Sequence, residues 1–443
     1  MRVAVVGGGI AGLGAAWSLS RLHDVTIFEA GHYAGGHANT VVVDQPGGPI
    51  GVDTGFIVYN EENYPNLTRL FAELGVETQP SDMSFGVSIN GGALEYEGSL
   101  RGLIAQPSNL LKPGFHRMCR DIRRFWNKAP RVLHRSADKH LSLGDYLRRE
   151  QYSDEFVRNH LLPMGAAIWS CSFEEMASFP IESFVRFFCN HGLLSLNNRP
   201  AWRTVSGGSR EYVRRLTASF KDRIYLNTAV LGLQRRSEGV YLQTWVGWEG
   251  PFDSLVMATH ADQALTILGS EATELECAVL GRIRYSSNRA VLHQDDRLMP
   301  KRRAAWASWN YLTDGTHNDT QRVSVTYWMN RLQNIDAGIP LFVSLNPLRE
   351  PDPETVLGEY TYEHPILDQS ATSAQGALHK VQGQHRTWFC GSYAGFGFHE
   401  DALQSGLSVA AALGSTVPWM DEVSPASPAA FTVPIGDYAE AAE

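Results

Sequence analysis

The chain has 443 residues, more than one ordinary hydrophobic core accommodates, so we expect two interleaved domains or a large α/β body with an inserted lobe. Its formal net charge of −9 argues against general nucleic-acid binding, which needs a basic face. No window of about 18 uninterrupted apolar residues predicts a membrane span, and five scattered cysteines with no signal-peptide pattern favour a reducing cytoplasmic setting.

The first elements predict a dinucleotide-binding turn. Val3–Val6 is a short apolar run typical of a buried strand, and Ala11–Leu19 is helical in composition. Between them, Gly7 permits a tight turn, Gly9 lets the backbone approach a phosphate, and Gly12 lets the helix pack closely on the strand. The N-terminus of the helix then points at the anion.

A second predicted strand, Val25–Phe28, ends in Glu29. A carboxylate about 20 residues beyond the first glycine accepts hydrogen bonds from a ribose hydroxyl in dinucleotide-binding folds. An arginine here would have indicated a 2′-phosphate instead. The pattern alone leaves NAD and FAD open.

A basic region follows, with about a dozen Lys and Arg against about four acids between Arg101 and Glu150. Within it, Met118–Lys128 is amphipathic. One face carries Met118, Ile122, Phe125 and Trp126, and much of the remainder carries Arg120, Arg123, Arg124 and Lys128. Two interpretations stay open: a surface helix with a solvated basic face, or a helix that rests on an anionic membrane.

The C-terminal part predicts a second glycine-rich turn. A short strand at Trp388–Cys390 continues into Gly391, a glycine-bearing loop and a helix that opens at Asp401. Two glycine-rich strand-to-helix turns at opposite ends of one chain favour one extended cofactor held at both ends. Residues 416–443 are rich in Pro, Ala and Ser, which predicts a flexible tail.

This C-terminal stretch resembles the flavin-containing amine oxidoreductase superfamily, which includes monoamine oxidases, phytoene-type desaturases and protoporphyrinogen oxidase. The family's motif on the last helix is matched in order by Phe398, Glu400, Ala402, Ser405 and Gly406. The resemblance extends from Met1 to about Leu413 and implies FAD as the cofactor. It also implies that the backbone near Ala402 and Leu403 faces the pyrimidine edge of the flavin.

Other segments match the family in chain order. In "AGGHANT" the double glycine is present, but His37 replaces the family's second arginine, and in "VDTGFIVYN" the acid-x-glycine turn implies that Gly55 and Phe56 lie beside the isoalloxazine. Val230 matches the strand that meets the adenine, and Gly391-Ser392 departs from the usual Gly-Glu. The resemblance implies cofactor contacts at Gly7, Gly9, Ile10, Ala11, Gly12, Glu29, Ala30, Gly36, His37, Gly55, Phe56, Val230, Thr259, Gly391, Ser392, Ala402 and Leu403.

The expected fold class is α/β, with a Rossmann-type (GR2-like) FAD-binding domain interleaved with a mixed α+β substrate domain. The FAD-binding domain is expected to comprise residues 1–75, 202–265 and 380–415, and the substrate domain residues 76–201 and 266–379, ahead of the tail.

Two features bear on the substrate. A family lysine near flavin N5 in several amine-oxidising members has no sure counterpart in "YSSNRAVLH", where Arg289 stands nearby, so amine oxidation is disfavoured. The middle of the chain is rich in apolar residues, which form either ordinary core or a pocket for a long hydrophobic substrate. These residues are Phe184, Phe187, Phe188, Leu193, Leu194, Trp306 and Trp309.

Segments such as "DTGFIVYNEENYPNLTRLF" and "MPKRRAAWASWNY" resemble a bacterial branch associated with cyclopropane-type fatty-acid modification. That resemblance implies an FAD oxidoreductase that dehydrogenates an unsaturated or methylated acyl chain of a membrane lipid. An amine oxidase, or a non-catalytic FAD-binding partner of a lipid methyltransferase, are the alternatives. The catalytic base stays unknown, with His399 and His191 as weak candidates, and no metal-ligand spacing is present. We expect a cytoplasmic protein, with peripheral contact to an anionic membrane as the open alternative.

Overall fold

The computed structural model describes residues 1–45, 47–135, 140–195, 199–313, 323–336 and 338–419. Its strands are, in chain order, β1 (Arg2–Val6), β2 (Asp24–Phe28), β3 (Thr40–Val43), β4 (Ile50–Asp53), β5 (Tyr59–Asn60), β6 (Thr78–Pro80), β7 (Phe85–Ile89), β8 (Leu94–Glu97), β9 (Trp202–Val205), β10 (Ile224–Tyr225), β11 (Val230–Arg235), β12 (Val240–Thr244), β13 (Trp248–Phe252), β14 (Ser254–Met257), β15 (Arg284–His293), β16 (Trp309–Thr313), β17 (Val323–Trp328), β18 (Phe342–Leu345), β19 (Val356–Ile366) and β20 (Thr387–Phe389). Its helices are α1 (Ile10–Leu19), α2 (Pro65–Leu74), α3 (Pro113–Lys128), α4 (Leu143–Arg149), α5 (Asp154–Phe156), α6 (Leu162–Trp169), α7 (Phe173–Ser178), α8 (Ile181–Asn190), α9 (Arg210–Thr217), α10 (Ala261–Leu268), α11 (Glu274–Leu280), α12 (Met329–Leu332), α13 (Gln369–Ala377) and α14 (His399–Ala412).

The described residues divide into two compact units. The first unit consists of Met1–Ala34, Ser219–Ile283 and the described residues from Ser370 onward, and the second of Gly35–Ala218 and Arg284–Gln369. Each unit therefore contains chain segments that are distant in sequence.

The first unit is built on a five-stranded parallel sheet in the order β10-β2-β1-β14-β20. Its central strand β1 is apolar, and Val3, Ala4 and Val5 are fully buried, as expected for a strand covered on both faces. Helices α1 and α14 pack against each other so closely that a Cβ on Gly406 would lie 2.1 Å from the carbonyl oxygen of Ala11. A three-stranded antiparallel sheet, β11-β12-β13, completes the strand structure of this unit.

The second unit contains a seven-stranded sheet in the order β19-β15-β18-β17-β16-β7-β8. Its longest pair is β15 with β19, which run antiparallel from Arg284 opposite Ile366 to His293 opposite Val356. The helical part, α3 to α8, has an aromatic core in which the rings of Phe184 and Phe188 lie 4.1 Å apart between centroids.

The predicted α/β class, with a parallel Rossmann-type sheet and further mixed sheets, is confirmed. The expected domain boundaries were drawn from cofactor motifs, whereas the two units are defined by contacts within the chain. Residues 35–75 and 202–218, expected in the FAD-binding domain, lie in the second unit. Residues 266–283 and 370–379, expected in the substrate domain, lie in the first unit. The assignment of whole domains to cofactor and substrate stays a prediction.

The boundaries that differ most from expectation are those of the last helix, of α3 and of the tail. The last helix begins at His399, two residues before Asp401, because the Asp401 carboxylate accepts the Phe398 N–H at 2.9 Å and caps the first turn. Helix α3 begins at Pro113, well before Met118. At the expected start of the tail, Val417 is buried and Trp419 stacks on Trp17, and residues 420–443 lie outside the described residues.

Within the described ranges, every helix is too short or too polar to cross a bilayer.

Candidate functional site

The glycine turns and Glu29 meet at one edge of the parallel sheet in the first unit. Hydrogen bonds between neighbouring strands continue to their carboxyl ends. The Gly7 N–H donates to the Phe28 carbonyl at 2.9 Å, and the Ala258 N–H donates to the Val6 carbonyl at 2.8 Å. The Cys390 N–H continues the series with the Met257 carbonyl at 3.0 Å. Nucleotides bind in open α/β sheets at this carboxyl edge.

The three glycines of the first turn have different surroundings. A Cβ on Gly7 would lie 2.6 Å from the Ala258 carbonyl oxygen, and one on Gly12 would lie 2.0 Å from the Gly7 carbonyl oxygen, so both are required for packing. A Cβ on Gly9 would meet no atom within 4 Å. Gly9 is also the N-cap of α1, and no side chain caps that helix end. The backbone N–H groups of Ile10 and Ala11 thus border an open space that fits the pyrophosphate of FAD.

Glu29 holds two backbone turns beside this space. Its Oε2 accepts the Gly8 N–H and its Oε1 accepts the Gly31 N–H, each at 2.6 Å. Each carboxylate oxygen has a second acceptor site, and the residue is half-buried beside exposed Ala30. The carboxylate is therefore fixed in direction and suited to accept a ribose hydroxyl.

The other residues of the first unit that are expected to contact the cofactor lie at or near the ends of strands and helices. Val230 is buried at the start of β11, and Thr259 follows β14. The Gly391 N–H donates to the Ser405 hydroxyl at 2.9 Å, which ties the turn before half-buried Ser392 to α14. Ala402 and Leu403 are buried on α14, with the Leu403 side chain against the position of Gly14.

His399 is the first residue of α14 and one of the two weak catalytic candidates. Removal from water lowers the pKa of its imidazole to about 3 and raises the pKa of the nearby Asp401 carboxyl to about 6. An imidazole with so low a pKa is neutral at pH 7 and a weak base. The catalytic role of His399 stays a prediction.

In the second unit, the double-glycine and acid-x-glycine motifs lie against each other. Gly36 has a φ of +57°, and a Cβ on Gly55 would lie 2.2 Å from the His37 carbonyl oxygen. The Phe56 N–H donates to the same oxygen at 2.7 Å. Phe56 itself is buried edge-on against Tyr212, so its ring is part of the core.

The His37 imidazole belongs to a group of aromatic and polar side chains around Tyr362 of β19, which we call the Tyr362 cluster. Its members are His37, Asn39, Thr54, Asn288, Tyr362 and His364. The His37 ring lies 5.0 Å from the Tyr362 ring and 5.3 Å from the His364 ring, centroid to centroid. The Asn39 side-chain N–H donates to the Tyr362 hydroxyl at 3.0 Å, and that hydroxyl lies 2.6 Å from the Thr54 hydroxyl. Burial raises the pKa of Tyr362, so the phenol stays protonated.

Asn288 links His364 to Asn346 through its side-chain amide. The Asn288 Oδ1 accepts the side-chain N–H of Asn346 at 2.8 Å, which directs the Asn288 Nδ2 toward His364 Nδ1 at 3.2 Å. Because an amide nitrogen can only donate, Nδ1 of His364 is the acceptor in this contact.

Arg289, next to Asn288 on β15, faces the other way. Its guanidinium pairs with Glu359 at 2.7 Å and Glu350 at 2.9 Å, and these carboxylates raise its pKa further. Successive side chains alternate between the faces of a strand. Asn288 is 1% exposed and thus lies on the buried face of β15. The sequence had suggested Arg289 near this position.

Asp53 is a fully buried carboxylate that joins the acid-x-glycine motif to the "VSGGSREYV" segment. It accepts hydrogen bonds from the Thr40 and Ser209 hydroxyls at 2.6 and 2.7 Å, from the Ser209 N–H and from the Gln333 amide. Burial raises its pKa to about 6, and the donors oppose that shift. Its role is to hold these segments together.

His191, the other catalytic candidate, lies in the aromatic core of the helical part. Its ring stacks on Phe187 at 3.9 Å, its Nδ1 bonds the Phe187 carbonyl at 3.0 Å, and burial lowers its pKa to about 4. Phe184, Phe187, Phe188 and Trp306 are likewise buried core residues, whereas Leu193, Leu194 and Trp309 are partly exposed.

Sequence reasoning missed Tyr362, His364, Asn288 and Asn39. The alternation in "EYTYEH" places Tyr360, Tyr362 and His364 on one face of β19, and this pattern could have been recognised in the sequence. Their contact with His37 depends on long-range pairing that no local pattern encodes. Among the described residues, no cluster of His, Cys, Asp and Glu suits a metal ion.

Comparison with known proteins gives one family match. The model of flavin-containing amine oxidoreductases matches residues 10–297. No curated protein sequence matches the chain.

Several solved structures share the fold. A CLA-producing fatty acid isomerase from P. acnes is 16% identical over 91% of this chain and 96% of that chain, with a TM-score of 0.62. Cyclohexylamine oxidase from Brevibacterium oxydans IH-35A is 15% identical over 93% and 98%, with a TM-score of 0.65. Reduced UDP-galactopyranose mutase is 13% identical over 98% and 100%, with a TM-score of 0.65.

Proposed function

Because the chain belongs to the family of flavin-containing amine oxidoreductases and is an FAD-dependent oxidoreductase, we propose that its substrate is an unsaturated or methylated fatty acyl chain of a membrane lipid. Bound FAD supplies a hydride acceptor. The chain's own residues hold the cofactor, orient the acyl chain and exclude water.

The observation that carries the proposal is that Asn288 is the buried residue beside Arg289 on β15. Asn288 occupies the inward face, and neighbouring Arg289 is directed outward into its pairs with Glu350 and Glu359. No lysine occupies β15, whereas the family resemblance implies a lysine near N5 in several amine-oxidising members. This difference favours a substrate other than an amine.

The polar groups of the Tyr362 cluster support a neutral substrate. Tyr362, Asn39, Thr54 and Asn288 contribute hydroxyls and amides, none of which carries charge at pH 7. The acids of β19 alternate with Tyr362 and so belong to the opposite face of the strand. The groups of the Tyr362 cluster include no carboxylate that could pair with an ammonium group, which favours a substrate other than an amine.

The fold is compatible with a long apolar substrate. The P. acnes enzyme that shares it is named as a fatty acid isomerase. In this chain, Leu193, Leu194 and Trp309 are apolar and only partly covered. They are the side chains of the predicted apolar lobe that remain available for an acyl chain.

Anaerobic reduction of the bound flavin tests the proposal. We expect a phospholipid with an unsaturated or methylated acyl chain to bleach the flavin absorbance, and cyclohexylamine and putrescine to leave it unchanged. Mass spectrometry of lipids from cells with and without the gene should then show the modified acyl chain only when the gene is present.

The second candidate, oxidation of a primary amine or polyamine, has support from the fold shared with cyclohexylamine oxidase. Bleaching by a soluble amine but by no lipid would establish it in place of acyl-chain oxidation. A flavin that neither class reduces would instead favour the FAD-binding partner of a lipid methyltransferase.

A further inference from the structure

Four large apolar side chains are exposed within a short stretch of the second unit. The exposed fractions are 74% for Leu100, 51% for Ile104, 48% for Leu110 and 85% for Leu111. The stretch forms two 3₁₀ turns, Gly102–Ile104 and Pro107–Leu111, which contact each other and lead into α3. We call residues 100–111 the leucine turns. Grouped exposed apolar side chains of this size mark interaction surfaces more often than chance.

The leucine turns are anchored, so the exposure is a property of the fold. The Gln106 Oε1 accepts the Glu95 N–H at 2.7 Å, and its Nε2 donates to the Ala93 carbonyl at 3.2 Å. The Asn109 Nδ2 donates to the Glu95 carbonyl at 2.9 Å, and both Gln106 and Asn109 are buried. Polar side chains thus point inward to the region of β8 while the leucines are held outward.

The chain segment that contains the leucine turns is basic in composition, and Glu97, just before it, accepts the Ser99 N–H at 3.1 Å. From residue 98 to residue 135 the chain has one acid, Asp121, which is buried. The basic residues of the same stretch are Arg101, Lys112, Arg117, Arg120, Arg123, Arg124, Lys128, Arg131 and Arg135. The whole chain has a net charge of −9, so this stretch stands out from the rest.

Helix α3 does not itself supply an apolar face to a membrane. Met118, Ile122 and Phe125 are buried in the second unit. Arg124 lies over the Tyr152 ring at 4.0 Å and pairs with Asp121 at 3.3 Å. The apolar face of α3 therefore packs inside the second unit, and contact of its basic residues with an anionic membrane stays a prediction.

We propose that the leucine turns are a docking surface for an anionic lipid bilayer. Leu100, Ile104, Leu110 and Leu111 enter the headgroup region, and the exposed guanidinium groups of Arg101, Arg120 and Arg123 face lipid phosphates. Apolar insertion combined with basic residues is the pattern by which peripheral proteins hold anionic membranes. The proposal does not depend on which molecule the flavin oxidises.

The charge favours a bilayer over a second copy of the chain. In a two-fold dimer the same patch would face itself, so Arg120 and Arg123 would approach the same basic residues of the partner. An anionic bilayer offers the opposite charge to every one of them.

Co-sedimentation of the FAD-loaded full chain with vesicles tests the proposal. We expect binding to phosphatidylcholine vesicles that contain phosphatidylglycerol, weaker binding to phosphatidylcholine alone, and weakening by salt. Leu110→Ser with Leu111→Ser should weaken binding at least about tenfold. Arg120→Glu with Arg123→Glu should weaken it comparably and reduce its salt dependence.

Leu357→Ser is the matched control, because Leu357 is 38% exposed on β19 close to Glu354 and Glu359, and it should bind as the parent does. Flavin absorbance reports folding in each variant. If the double leucine variant loses its flavin, Leu111→Ser alone replaces it, since that side chain is 85% exposed.

Three results would overturn the proposal. They are no binding to anionic vesicles at low salt, unchanged binding of the folded leucine variants, and a dimer in analytical ultracentrifugation that the leucine substitutions dissociate.

Discussion

The hydroxyl oxygens of Tyr362 and Thr54 lie 2.6 Å apart, although the residues are 308 positions apart in sequence. The Asn39 side-chain amide donates to the same Tyr362 oxygen at 3.0 Å, and the Thr54 hydroxyl donates to the backbone carbonyl of Asn39 at 3.3 Å. These bonds form a closed ring in which each hydroxyl has both a donor and an acceptor role. They tie the acid-x-glycine motif to the longest strand of the second unit.

Tyr362→Phe should lower the free energy of unfolding by about 1–3 kcal/mol, because it leaves the buried Thr54 hydroxyl and the Asn39 amide without this partner. Urea denaturation measures the change. Tyr360→Phe is the control, since Tyr360 lies on the same face of β19 and its hydroxyl is not part of this ring of hydrogen bonds. Equal losses in both variants would contradict the assigned role of the Tyr362 hydroxyl.

Gly9→Val should abolish FAD binding while the fold is retained. A Cβ at Gly9 meets no protein atom within 4 Å, and the backbone there is extended, so valine is tolerated by the protein but occupies the space of the pyrophosphate. Flavin absorbance and circular dichroism measure the two effects. Gly12→Val is the contrast, because its Cβ would lie 2.0 Å from the Gly7 carbonyl oxygen and should impair folding. Normal flavin content in Gly9→Val would refute the cofactor assignment.

Glu29→Ala should weaken FAD binding about tenfold or more. The substitution removes a charged hydrogen-bond acceptor, a loss of about 1.5–3 kcal/mol. It also releases the Gly8 and Gly31 N–H groups, so the glycine turn loses support. Titration of the apoprotein with FAD gives the dissociation constant. Binding as tight as in the parent would mean that the ribose lies elsewhere.

The second unit should lose stability in acid through its buried histidines. His160, His191 and His293 all have pKa values lowered to about 4 by burial, against an ordinary 6.5. The folded state thus favours the neutral rings. Their contribution is complete above pH 6.5 and is lost as the pH falls through about 4, up to about 3 kcal/mol for each ring.

His191→Phe isolates one of these contributions, because phenylalanine keeps the stack on Phe187 and cannot titrate. Its free energy of unfolding should fall less than that of the parent between pH 7 and pH 4.5. Identical pH profiles would show that His191 is accessible to protons in the folded state. Retained flavin reduction by substrate would also exclude His191 as the catalytic base.

Local sequence was sufficient to predict the first nucleotide-binding turn. Strand β1, the three glycines, α1, β2 and Glu29 are contiguous within 29 residues, and the spacing of apolar residues and glycines encodes their local geometry. The C-terminal strand and helix were predictable for the same reason. The strand lies one residue earlier than expected, at Thr387–Phe389, and the first turn of α14 was misplaced because capping by Asp401 sets that end.

Long-range packing sets the surroundings of the second unit's residues. Alternation along β15 shows that Asn288 and Arg289 face opposite ways, but only pairing with β18 and β19 decides which face is buried. In the same way, periodicity predicts that α3 has an apolar face, but it does not predict which part of the protein covers that face. Both outcomes depend on contacts between distant segments, whose free energy comes from burial in the assembled unit and leaves no local pattern in the chain.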